Sequence, residues 1–153
     1  MKALLSFISL LALLSGCSPE SQLISNTVTC NNDEYILSLP EDISAYRHAM
    51  AEFSQIGGTN PLQSTSYKNK CIPKTSFKDL SQTSAQEIFD ATYKDAGRVT
   101  HFRIKNNVAY VELKANTEGW SSVSASLAAV NPIIKRNLFL NSKVEEVIVG
   151  EIK

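Results

Sequence analysis

Residues 98–114, Arg98-Val-Thr-His-Phe-Arg-Ile-Lys-Asn-Asn-Val-Ala-Tyr-Val-Glu-Leu-Lys114, constrain the fold more than any other segment. Apolar and polar residues alternate on both sides of Asn106-Asn107, and alternation with period two is the pattern of a half-buried strand. Asparagine tolerates positive φ, so an Asn-Asn pair suits the primed two-residue turns that match strand twist. Folding about that turn sets Lys105 against Val108. It then pairs Ile104 with Ala109, Phe102 with Val111 and Thr100 with Leu113 on the core face. Arg103 faces Tyr110, and His101 faces Glu112, on the other face. The His101–Glu112 pair has the groups for acid–base chemistry. Cross-strand pairing on a wet face explains it equally, and that bland reading carries more weight.

The chain has 153 residues, about one domain. Hydrophobic residues make up 43% and charged residues 20%, which excludes a disordered tail. Fifteen Lys+Arg against fifteen Asp+Glu leave no basic surplus, so no nucleic-acid partner is expected.

The N-terminus carries an address. Lys2 precedes an almost wholly apolar run from Ala3 to Leu14. Twelve helical residues reach about 18 Å, short of a hydrocarbon core of about 30 Å, so the run reads as a secretory signal rather than a permanent span. Leu14-Ser15-Gly16-Cys17 follows and resembles a bacterial lipobox. The resemblance implies a signal peptide over 1–16, cleavage before Cys17, and acylation of that cysteine. It implies membrane attachment through the lipid on Cys17. Ser18 is, by the same resemblance, the usual companion of outer-membrane sorting, with the domain facing the periplasm. Residues 17–27 read as the lipidated cysteine and a polar tether, and 28–153 as the domain.

With Cys17 used, Cys30 and Cys71 remain. In an exported chain one leftover pair most simply forms a disulfide. A reactive or metal-binding thiol pair is the alternative. There is no Cys-x-x-Cys, and His48 and His101 lie far apart, so neither a metal nor a cofactor is expected.

Val28 to Leu39 reads as one or two short strands around an Asn-Asn-Asp turn. Ser38-Leu-Pro-Glu41 matches a capping box. Ile43, Tyr46, Met50 and Phe53 then form a helical stripe to about Gln55, ended by Gly57-Gly58, with His48 off the stripe. Gly57 to Ser81 is polar and basic, with Lys68, Lys70, Lys74 and Lys78. It reads as a long solvated loop pinned by Cys71, or as a recognition loop for an anionic surface. Ser84-Ala-Gln-Glu87 is a second capping-box pattern, for a helix through Ile88, Phe89, Ala91, Thr92 and Ala96 to Gly97. Asn116 to Trp120 is a turn holding the only tryptophan. Val123, Leu127, Val130, Ile134 and Leu138 mark the next helix, and Pro132 predicts a kink or restart near Asn131. Val144 to Val149 predicts a last strand, buried within the sheet and ended by Gly150.

The run Phe102-Arg-Ile-Lys-Asn-Asn-Val-Ala-Tyr-Val-Glu-Leu113, the small-residue-rich helix from Ser121 and the closing Val144-Glu-Glu-Val-Ile-Val-Gly150 are together similar to the GerMN-like (sporulation/germination-type) domain. Glu112 stands where that family commonly has an acidic residue. The resemblance covers about 50 residues. It implies a small α+β domain of envelope proteins, often lipoproteins, and brings no catalytic residues to carry over.

The sequence therefore predicts an α+β domain, with an antiparallel or mixed sheet and a central hairpin packed on about three helices. The function expected is a non-catalytic binding module that meets peptidoglycan or another envelope protein. A structural accessory subunit of an envelope machine is the alternative, and a small periplasmic hydrolase a further one. No Gly-x-Ser-x-Gly, His-Glu-x-x-His or P-loop points to catalysis. Trp120, Tyr110, Arg103, Lys68, Lys70 and Lys74 are the candidate binding residues, Trp120 equally serving as a core or hairpin-edge residue.

Overall fold

A computed structural model describes residues 28–89, 98–114 and 123–151. The elements run β1 (Glu34–Pro40), α1 (Ile43–Ile56), β2 (Tyr67–Pro73), α2 (Phe77–Ile88), β3 (Arg98–Lys105), β4 (Val108–Lys114), α3 (Val123–Asn141) and β5 (Glu146–Glu151). Strands β1 and β2 form an antiparallel pair. Strands β3, β4 and β5 form a second, mixed sheet in that order, with β5 parallel to β4. Both sheets and all three helices contribute to one core, which includes Leu37, Leu80, Ile88, Val111, Ile134 and Leu138. The α+β class, the hairpin and the three helices are as the sequence predicts. No helix among the described residues is long and apolar enough to cross a membrane.

The hairpin turns at Asn106 and Asn107, both with positive φ (51° and 60°). Its register matches the predicted one from Lys105–Val108 through His101–Glu112. Beyond that, a bulge at Thr100 pairs Val99, not Thr100, with Leu113. The extra residue turns apolar Val99 inward and leaves Thr100 exposed. Contacts from α2 hold it there: the Val99 N–H donates to Gln82 Oε1 at 2.7 Å, and Lys78 Nζ lies 3.4 Å from the Thr100 carbonyl.

Several local expectations are corrected. Ser38 and Pro40 belong to β1, and α1 is capped instead by Asp42, whose carboxylate accepts from the Ala45 N–H at 2.9 Å. Gly57, at φ 72°, ends α1 as predicted. The segment after it is not one long loop. Tyr67, Asn69 and Cys71 are half-buried and Lys68 and Lys70 exposed, so the basic stretch is a strand whose exposure alternates. Ser84 lies inside α2, which starts at a cap on Ser76; Ser76 Oγ accepts from the Asp79 N–H at 3.1 Å. Residues Ala91 to Gly97 lie outside the described residues. Val28-Thr29-Cys30 is not a strand.

Helix α3 does not restart at Pro132; it runs as one element. Proline removes one backbone donor and crowds the carbonyls of the preceding turn. That turn is held from outside, since the buried Tyr46 hydroxyl donates to the Ala129 carbonyl at 2.7 Å. Among the described residues strand β5 lies at the edge of its sheet and is not buried throughout. Val147 turns inward while Ile148 stays 43% exposed.

Burial, with the neighbouring Tyr67, pushes the Tyr46 phenol well above its ordinary value of 10.0. The folded state therefore favours the neutral phenol. Its contribution is complete below the unfolded value and declines as pH rises past about 10. Tyr46→Phe removes the hydroxyl bond to the Ala129 carbonyl and should cost about 1 kcal/mol at neutral pH. The same change should flatten the loss of stability above pH 10. Urea titrations of both chains at pH 7 and pH 10.5 check both parts.

Helix α3 also joins the two sheets. Strand β1 has β2 along one edge, and the opposite edge is closed by asparagine side chains. Asn137 Oδ1 accepts from the Ser38 N–H at 2.7 Å, and its Nδ2 donates to the Ser38 carbonyl at 3.2 Å and Ser84 Oγ at 3.0 Å. One turn on, Asn141 treats Ile36 the same way, with both bonds 2.8 Å. A side-chain amide offers the donor and acceptor of a peptide unit, so the two residues stand in for a neighbouring strand.

Candidate interaction surface

Among the described residues, helices α2 and α3 pack on one face of the three-stranded sheet, the face bearing the buried Ala109, Val111 and Leu113. Strand alternation sends the other side chains outward. The pairings give three rows across this outer face: Lys105–Val108–Glu146, Arg103–Tyr110–Ile148, and His101–Glu112–Gly150. The β3 members are exposed, the β4 members half-buried, and Glu146 and Ile148 exposed.

The middle row defines the chemistry. The Arg103 guanidinium carbon lies 4.7 Å from the Tyr110 ring centroid, within reach of a cation–π contact. Ile148 flanks Tyr110 from the other side. The face thus offers a cation, a half-buried aromatic and an exposed aliphatic side chain in line. Such a surface binds by packing and charge. His101 and Glu112 are neighbours across the strands, but no hydrogen bond or ion pair joins them. Thr100 Oγ1 donates to the Glu112 carbonyl at 3.2 Å, which belongs to the ladder.

The other candidate residues lie elsewhere. Trp120 and Cys17 are outside the described residues. Lys68, Lys70 and Lys74 stand on or just after β2, in the other sheet, apart from Arg103 and Tyr110. Lys70 is paired with Glu87 at 2.8 Å. Lys74 Nζ donates to the Asn32 carbonyl at 2.6 Å and lies 5.5 Å from the Tyr35 ring. Two of these three lysines thus serve contacts within the fold. His48 is 85% exposed on α1.

Cys30 and Cys71 form a disulfide, with 5.5 Å between their Cα atoms. The Glu34 carboxylate lies close to both sulfurs. Oxidised to each other, they offer no thiolate to a metal.

A concavity of about 280 Å³ opens between the start of α1 and residues 61–66, walled by Pro40, Ala45, Tyr46, Ala49 and Pro61. Most of its polar groups are engaged within the fold. Asp42 caps α1, Ser64 and Thr65 donate to the Pro61 carbonyl, and the Glu41 N–H donates to the Ser66 carbonyl.

Ile148 was hidden from sequence reasoning because Val144 to Val149 looks buried throughout. The pairing with β4 puts it beside Tyr110 on the outer face, while Val147 turns inward beside Ala109. Asn137 and Asn141 carried a fainter signal: two asparagines four apart, one of them beside the apolar Leu138.

No protein-family model, no curated protein and no solved structure matches the chain.

Proposed function

We propose that this protein is a lipid-anchored, non-catalytic interaction module of the bacterial cell envelope, held at the outer membrane through Cys17. In this reading it is a GerMN-like domain that binds a partner through the outer face of β3, β4 and β5. The observation that carries the binding role is the Arg103–Tyr110–Ile148 row, on a sheet face that none of the described helices covers. The disulfide supports an exported location, because such bonds persist in oxidising compartments. Residues 17–27 give the domain a reach of at most about 35 Å from the lipid.

Photocrosslinking tests the face. Benzoylphenylalanine placed at Ile148 of the full chain in intact envelopes should give an adduct, and the same probe at Lys68 should not. Equal adducts at both positions, or none at Ile148, would contradict the reading. Insoluble purified peptidoglycan, spun with the full chain in detergent, separates the partner classes. Saturable co-sedimentation that falls at least about tenfold in a folded Tyr110→Ala variant assigns the face to the wall. Adducts from Ile148 without co-sedimentation assign it to an envelope protein.

A further inference from the structure

The charge pattern of the outer face is lopsided. Strand β3 presents His101, Arg103 and Lys105, and β5 presents Glu146, Ile148 and Gly150, with Val108, Tyr110 and Glu112 between them. The β3 flank carries the Arg103 and Lys105 cations, and the β5 flank carries the single Glu146 carboxylate. Neither Lys105 nor Glu146 has an ion-pair partner among the described residues. We infer that this face pairs with a second copy of the same chain, about a two-fold axis running along β4. The inference rests on the reading of this face as the interaction surface.

Symmetry and charge together select that arrangement. A two-fold contact uses the same patch on both copies. With the axis along β4, β3 of each copy lies over β5 of the other, and Lys105 meets Glu146 of the second copy in both directions. With the axis across the strands, β3 lies over β3 and the basic columns repel. In the favoured arrangement the two Tyr110 rings meet near the axis, and the Arg103 stem lies over Ile148 of the second copy. The Glu112 carboxylates also approach the axis, each diagonal to the other copy's His101. That imidazole has room, because Gly150 lies beneath it with open space where a Cβ would stand.

Size sets the strength. Three strands about 4.8 Å apart, each giving roughly five residues, cover about 250 Å². A stable complex usually buries about 800 Å² per partner. The pairing is therefore weak between free molecules and needs the raised local concentration of a shared membrane.

The test uses the full chain in its own membranes, with Val108→Cys at the axis and a short bismaleimide crosslinker. A dimer band is expected from Val108→Cys and not from the wild type or from Lys68→Cys. Adding Lys105→Glu or Glu146→Lys should each lower the band at least fivefold. Co-expressing the two charge variants with different tags should restore a mixed dimer, since each acid then faces a base. Absence of the band, an equal band from Lys68→Cys, or indifference to charge reversal would overturn the inference. If Ile148 meanwhile crosslinks to a different protein, self-pairing fails and the interaction-module reading stands.

Discussion

Asn137→Leu should destabilise this protein by about 3–5 kcal/mol, more than either Tyr46→Phe or Asn141→Leu. Leucine fills nearly the same space, so little of the loss comes from a cavity. What is lost is the pairing of three buried groups: the Ser38 N–H, the Ser38 carbonyl and one bond to the Ser84 hydroxyl. Each orphaned group costs about 1–3 kcal/mol, the least for Ser84, which still donates to the Leu80 carbonyl at 2.7 Å. Domains of this size are stable by about 5–15 kcal/mol, so the variant sits near its unfolding threshold. Asn141→Leu frees the two groups of Ile36 in a half-buried setting, where water reaches more easily. Its cost should be less than half as large. Urea midpoints of the two variants and the wild type check the ranking. Equal midpoints for Asn137→Leu and wild type would show that the β1 edge is not held this way.

The disulfide gives the second large effect. Cys30–Cys71 closes a loop with a sequence separation of 41. On the chain-entropy model such a loop is worth about 4 kcal/mol. The double change Cys30→Ser, Cys71→Ser should lose most of that. Part of the native end stays tied, because the Lys74 N–H donates to the Asp33 carbonyl at 2.8 Å and Lys74 Nζ to the Asn32 carbonyl. The expected result is a lower urea midpoint with an altered slope, since the unfolded chain becomes more expanded. Dithiothreitol should move the wild-type midpoint to that of the double variant and leave the variant unmoved. A wild-type midpoint unaffected by reduction would contradict the stabilising role.

Much of this fold is legible because single residues announce it. Asn106 and Asn107 fix the turn, and the alternation on either side fixes the pairing from Lys105 to His101. That alternation alone places Arg103 and Tyr110 on one outward row. The register fails one step later, because the bulge at Thr100 is stabilised from α2, which local alternation does not report. Two Ser-x-x-Glu patterns mislead for a shared reason. Ser38 and Ser84 are buried polar groups that meet at Asn137, and neither starts a helix. Ser38 Oγ instead accepts from Arg136 Nε at 2.7 Å, with the guanidinium 3.9 Å from the Tyr67 ring centroid. Contacts between residues about 100 positions apart decide such cases, and short patterns carry no record of them. Strand β2 is obscured differently: four lysines look like a loop until the alternation of Tyr67, Asn69 and Cys71 is set beside them. In the candidate face, local pattern reaches Arg103 and Tyr110. It misses Ile148, whose place on the outer face depends on the long-range pairing of β5 with β4.

Attachment through Cys17 is the central claim, since the tether, the compartment and the crowding that favours self-pairing all depend on it. Metabolic labelling with radioactive palmitate, followed by membrane fractionation, tests it most directly. The wild-type chain should carry label and sediment with the outer membrane. Cys17→Ser should carry none and should leave that fraction. A wild-type chain without label, or a Cys17→Ser chain that stays labelled in the membrane, would contradict the lipid anchor.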